Sequence, residues 1–150
     1  MVQAQQRPAV TAGYLSSEWD VTASYSNVQY IPGVGSTFRS QATFNTAGGV
    51  LRWNPIGQWA VAGGYSYTGA TRSNGITSAA QYQQLTLTQF YLLSKRTGLY
   101  AVEAYQRANG KTPNGRQVID ATASIGNGFN NGPSSSRSQF GAGIGLIHNF

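Results

Sequence analysis

Apolar and polar residues alternate one for one along most of this chain, and a side-chain period of two is the signature of strands. In 19–26, Trp19, Val21, Ala23 and Tyr25 share a face opposite Asp20, Thr22, Ser24 and Ser26. In 59–68, Trp59, Val61, Tyr65 and Tyr67 oppose Ala, Gly, Ser and Thr. Leu85, Leu87, Tyr91 and Leu93 alternate with Gln84, Thr86, Thr88 and Phe90, and Phe140, Ala142, Ile144, Leu146, His148 and Phe150 alternate with Gln139, Gly141, Gly143 and Gly145. The spacing predicts seven strands, over 8–15, 19–28, 38–53, 58–68, 81–94, 98–108 and 138–150. Short connections (16–18, 54–57, 94–97) take turns with long ones rich in Gly, Ser, Asn and Pro (29–37, 69–80, 109–137). An antiparallel sheet with one plain end and one elaborate end has this order. Residues 1–7 are expected to be a disordered start and 109–137 a long external loop. The stretch 118–125 also alternates, but counting it as a strand breaks the order, so it reads as part of a loop that folds back.

Composition decides which solvents the two faces meet. Charged residues are 9% of the chain, against roughly 25% in soluble domains, so a conventional soluble surface is disfavoured. The longest apolar runs are short, such as 90–93, and a spanning helix needs about 20 apolar residues. A helical membrane protein is excluded. The absence of cysteine removes disulfides and Cys-ligated metal sites. The start lacks the basic-then-apolar pattern of a secretion signal, so either the chain stays inside or its true beginning is missing. The net charge of +6 does not point to nucleic acid, because the basic residues are scattered and only Lys95 and Arg96 adjoin. In a soluble sandwich the outward faces carry Lys, Glu and Thr, whereas here the polar face is Ser, Thr, Gln and Gly. Strands of this length match the ~9–11 residues that cross a bilayer at a tilt. Aromatic residues gather near strand ends: Trp19, Trp53, Trp59, Tyr65, Tyr67, Tyr91, Tyr100, Phe140 and Phe150. Such belts are expected at the two interfaces of a membrane barrel, and only a closed sheet satisfies every backbone group in lipid. The sequence therefore reads as all-β, an antiparallel transmembrane β-barrel or most of one.

The stretch 92–100 (LLSKRTGLY), followed by Ala104, Tyr105 and Gln106, resembles the trimeric general porins of Gram-negative bacteria, in particular their β-proteobacterial branch. The run 132–136, the final 145–150 (GLIHNF), and 59–68 (WAVAGGYSYT) are similar to the same family's last loop, last strand and an internal strand. The resemblance is clear from about residue 58 onward and weaker over 8–57. It implies a sixteen-stranded barrel, a homotrimer, localisation in the cell outer membrane, and passive diffusion of ions and small hydrophilic solutes with no cofactor. It also implies that the last strand, ending at Phe150, is read by the outer-membrane insertion machinery. Seven strands fall short of sixteen, so the chain resembles the C-terminal portion of a porin. An odd count would also make first and last strands parallel on closure, whereas bacterial single-chain barrels are even and antiparallel.

If the aromatic face meets lipid, the lumen takes the other parity. Asp20, Arg39, Arg52, Glu103, Tyr105 and Arg107 are expected to line the pore. The last three are assigned there because a charge facing lipid near the midplane costs ~2–4 kcal/mol for Arg and somewhat less for Glu. Placing both Arg39 and Arg52 inward, with Phe38 and Phe44 outward, requires a bulge near Gly48–Gly49. Trp19, Trp59, Tyr100, Phe140, His148 and Phe150 are expected in the aromatic girdle and the terminal insertion signal. No enzyme is expected. His148 is the sole histidine, no two-His metal site can form, and of the four acids (Glu18, Asp20, Glu103, Asp120) only Asp20 and Glu103 share a compartment in this reading. Gly33–Val34–Gly35 lacks the Lys and the helix of a phosphate loop. Two other classes stay open: an eight-stranded structural or adhesive barrel with 117–127 as the eighth strand, and a soluble carbohydrate-binding sandwich.

Overall fold

A computed structural model describes residues 2–36, 40–73, 75–114, 117–126 and 132–150. Its strands are β1 (Val2–Gln6), β2 (Ala9–Leu15), β3 (Trp19–Pro32), β4 (Ala42–Ile56), β5 (Trp59–Ala70), β6 (Gln81–Leu92), β7 (Thr97–Asn109), β8 (Lys111–Asn114), β9 (Gln117–Asp120) and β10 (Ser138–His148). There is no helix among the described residues. The main sheet runs β3-β4-β5-β6-β7-β10 with β1 and β2 both on the outer edge of β3, and every pairing in it is antiparallel. Among the described residues β2 pairs only with β3, and β10 only with β7, so the sheet is open.

The disordered start expected over 1–7 is corrected: Gln5 and Gln6 sit opposite Tyr30 and Gln29, and β2 continues opposite Ser26 down to Asp20. β1 and β2 are one edge strand cut in two at Pro8, which has no N–H to give the ladder; its carbonyl still accepts from the Asn27 N–H at 3.0 Å. The six other expected strands all form with shifted ends: β3 runs on four residues to Pro32, and β4 begins at Ala42, residues 38 and 39 of its expected range lying outside the described residues. The connection 109–137 is not a bare loop, since it opens with the β8–β9 hairpin. Among the described residues β9 pairs with β8 and not with the main sheet, so 117–126 supplies no eighth barrel strand; residue 127 of that expected strand lies outside the described residues. A four-residue hairpin is also no opposing layer for a sandwich.

This sheet has no ordinary core. Among the described residues the buried apolar ones are Ile76, Ala80, Ala108, Ala121 and Ala123, and no large side chain is fully buried. Exposure nevertheless alternates along the strands, most cleanly from Gln81 to Leu87 in β6 and from Glu103 to Ala108 in β7. Most of the sheet is covered by no second layer, so along these stretches one face is the more sheltered and the other the more open.

Candidate functional site

Cross-strand partners share a face, so the ladder assigns every strand residue to one side. One face carries Asp20, Thr22, Ser24, Ser26, Arg52, Ser66, Thr68, Gln84, Thr86, Thr88, Gln106 and Gln139, with Gly48, Gly64, Gly141, Gly143 and Gly145 between them and Val28, Phe44, Val50, Tyr82, Phe90, Tyr100 and Val102 interspersed. This is the more sheltered side, here called the polar face. The other carries Trp19, Val21, Tyr25, Leu51, Trp53, Trp59, Val61, Tyr65, Tyr67, Leu85, Leu87, Tyr91, Leu99, Phe140, Ile144 and Leu146. Most of these are well exposed, Ile144 at 88% and Phe140 at 65%. A soluble protein hides its apolar face; this sheet presents it.

The aromatic face is layered along the strands. At the short-turn end, Trp19 stacks on Trp53 with centroids 5.4 Å apart and planes 17° from parallel. Trp59 and Tyr91 pair one step further down the register, and His148 opposite Thr97 sits lower again. At the long-loop end, Tyr25 and Tyr67 share one row through Ala47, and Tyr65, Tyr105 and Phe140 share the next row down. Both aromatic rows thus step the same way toward β10, as two parallel planes do when they cut strands tilted across them. Between the rows lie mostly Val, Leu, Ile, Ala and Gly. From Trp59 to Tyr67 is eight residues of β5, or about 26 Å along the strand at ~3.3 Å per residue. Beyond the Tyr row the face turns polar through an amide chain. Gln41 Nε2 donates to Gln29 Oε1 (2.6 Å), Gln29 Nε2 to Asn27 Oδ1 (2.6 Å) and Asn27 Nδ2 to Asn45 Oδ1 (2.7 Å), where the Tyr25 hydroxyl also donates (2.8 Å). Beyond the Trp row come Ser94, Lys95 and Arg96 of the tight turn.

The residues expected to line a pore divide between the two faces. Asp20 and Arg52 are cross-strand partners on the polar face, 3.9 Å apart, and Arg52 Nε also donates to Asn54 Oδ1 at 3.2 Å. Both side chains keep solvent contact, so the pair contributes at most about 1 kcal/mol. Glu103, Tyr105 and Arg107 are a correction. Their partners are Leu87, Leu85 and Gln83 on one side and Ala142, Phe140 and Ser138 on the other, which puts all three on the aromatic face. Charge cost argued for the opposite parity, but the register from Leu92–Gly98 upward is uninterrupted and leaves no residue to reverse it. Asp20 and Glu103 therefore lie on opposite sides of the sheet and cannot act as a pair.

Tyr100 is the reverse correction. It was expected in the girdle, yet it lies on the polar face opposite Gly145, where its ring covers the glycine so closely that a Cβ there would collide with it. At the short-turn end of β7 the aromatic face carries Leu99, between Tyr91 and Leu146, and the aromatic residue β7 gives that face is Tyr105, in the row at the long-loop end. Trp19, Trp59, Phe140 and His148 are all on the aromatic face. Thr97 Oγ1 and His148 Nδ1 share a 2.9 Å hydrogen bond, and the Phe150 ring meets His148 edge-on at 4.9 Å. Arg39 lies outside the described residues. The bulge expected near Gly48–Gly49 does not occur, because both ladders of β4 run through it unbroken. Phe44 instead stays on the polar face, edge-on to Tyr30 at 6.1 Å, near the long-loop end.

Sequence reasoning had Gln84 on the polar face but missed Gln106 there, and missed what the glutamines of this face hold. Gln106 Nε2 donates to Gln84 Oε1 at 2.9 Å, while the Oε1 atoms of Gln106 and Gln139 accept the backbone N–H groups of Ser124 and Ile125, each at 2.7 Å. Their polar parity among Thr and Gly was the available signal. No protein-family model matches the chain, and no curated protein matches it either.

Proposed function

We propose that this chain forms part of the wall of a water-filled diffusion channel in the outer membrane, with the aromatic face toward lipid and the polar face toward the aqueous lumen. The observation that carries the reading is the inversion of the sheet: its exposed face is apolar between two aromatic rows, and its sheltered face is polar. Between its aromatic girdles a barrel wall carries an apolar band ~25 Å tall; eight residues of a strand tilted ~40° rise about 20 Å, and the oblique rows fit tilted strands in a flat slab. The lumen face of Ser, Thr, Gln and Gly would pass ions and small hydrophilic solutes without a binding step. Its charges near the short-turn end, Asp20 and Arg52, offset each other, so this part of the wall imposes little preference between anions and cations.

An open sheet leaves unpaired N–H and C=O groups along β2 and β10, which lipid does not tolerate. The channel reading therefore has these edges joined to further strands. The resemblance to general porins supports such a completed barrel, assembled as a homotrimer and inserted through recognition of its last strand. The test is planar-bilayer conductance of the assembly in which the chain is isolated. Stepwise, ohmic insertion events support the proposal; adsorption without conductance refutes it.

A further inference from the structure

The connection between β7 and β10 returns over the sheet it has just left. Residues 121–125 run across the polar face at the long-loop end. Ala121 packs against Ala80 and Ala108, the three being 0%, 1% and 0% exposed. Its foot is tied by the Ala121 N–H to the Gly110 carbonyl (3.0 Å), and its flank by reciprocal bonds: the Ala123 N–H to the Ser136 carbonyl (3.1 Å) and the Ser134 N–H to the Ala123 carbonyl (2.8 Å). Arg137 donates to Asp120 at 3.1 Å where the hairpin ends.

The next two N–H groups go to the wall. Those of Ser124 and Ile125 donate to Gln106 on β7 and Gln139 on β10. Gln106 is in turn held by Gln84 on β6, so the grip spans three adjacent strands. Loop N–H groups ordinarily turn to water; here successive ones are received by side chains projecting from the lumen face. Side chains of the same face, Tyr82, Phe90 and Tyr100 among them, also stand up from the sheet, but only 121–125 lays a length of backbone over it. A segment laid on a sheet stands up to ~10 Å above it, far more than any serine.

We propose that residues 121–125 are a size-selecting constriction of the channel, with Gln106 and Gln139 as its positioning residues. The inference rests on the diffusion-channel reading. The solutes it discriminates are uncharged hydrophilic molecules of graded bulk, because the segment offers backbone and small side chains and no net charge of its own.

The experiment is swelling of liposomes containing the isolated assembly, with neutral sugars of increasing size. In the double variant Gln106→Leu, Gln139→Leu both acceptors are lost at similar volume, and the size cut-off shifts to larger sugars while the smallest sugar enters at an unchanged rate. Gln139→Glu alone, with Gln106 unchanged, keeps both acceptor oxygens and keeps the original cut-off. Swelling with an unchanged cut-off in the leucine variant overturns the constriction and leaves the channel reading standing. Absence of swelling with every sugar in the unmodified protein overturns the channel reading, and the constriction with it. Hydrogen exchange on the unmodified protein gives a second measure. Slow exchange at Ser124 and Ile125 is expected, and exchange as fast as in an open loop overturns the grip.

Discussion

Leu51 and Val50 are neighbours on β4 with nearly equal exposure, 46% and 49%, and they point to opposite sides of the sheet. Leu51 faces Val21 and Gly63 on the aromatic side; Val50 faces Thr22 and Gly64 on the polar side. Leu51 is one residue from the midpoint between Trp53 and the Tyr25–Ala47–Tyr67 row, hence close to the centre of the apolar band. Arginine facing lipid near the midplane costs about 2–4 kcal/mol, whereas an arginine in a wet lumen beside Gly64 has room and solvent. Leu51→Arg should therefore destabilise the lipid-folded state by about 3 kcal/mol, roughly a hundredfold in the folding equilibrium. Val50→Arg should cost less than about 1 kcal/mol, as exposed substitutions usually do. The assay is urea unfolding from phospholipid vesicles, followed by tryptophan fluorescence, for both variants in parallel. Equal losses, or a larger loss at Val50, would refute the assignment of the two faces.

Glu103 is a carboxylate inside the apolar band, between Leu87 and Ala142. Glu103→Leu should stabilise the vesicle-folded protein by about 1–2 kcal/mol, and a destabilisation in the same titration would show that this part of the face does not meet lipid. All three tryptophans, Trp19, Trp53 and Trp59, lie on the aromatic face at the short-turn end. Lipids brominated near the headgroup should therefore quench fluorescence more than lipids brominated at mid-chain; the opposite order contradicts the layering. Gly110 has φ +79° and faces the Ala79 carbonyl, which a Cβ would strike. Gly110→Ala should loosen the foot of the 121–125 segment at a cost of about 2 kcal/mol, seen as faster hydrogen exchange at Ala121 with β3–β5 unchanged.

The strands were legible because alternation is a local signal and the turns between them are short. The pairing of 16–18, 54–57 and 94–97 with tight connections also gave the up-and-down order. What sequence could not resolve was the phase of β7. On that strand Leu99, Ala101 and Tyr105 make one parity look apolar, but Tyr100, Val102 and Ala104 make the other look equally so. Charge cost then decided in favour of a lumenal Glu103, and the ladder to β6 decided against it. Phe44 misled in a similar way: an aromatic residue was taken as a marker of the outer face, and a bulge was invoked to reconcile it with Arg52. The ladder is continuous, and Phe44 simply packs on Tyr30 above the polar wall. The edge strand was expected to begin only at Pro8; β3 runs on to Pro32 and supplies a ladder for Val2–Gln6 that tolerates one missing donor. The fold-back of 118–125 was expected. Its anchoring was not, since the grip depends on Gln84, Gln106 and Gln139 lying side by side, which only register reveals.

The account turns on which face meets lipid, and β6 offers the most direct test. The chain has no cysteine, so Leu85→Cys, Thr86→Cys, Leu87→Cys and Thr88→Cys each place a single thiol in the protein, to be reconstituted in phospholipid vesicles. The measurement is labelling with a charged, water-soluble maleimide. The two threonine positions should react and the two leucine positions should not. Labelling of all four, or of Leu85→Cys and Leu87→Cys in preference, would contradict the inside-out reading on which the channel rests.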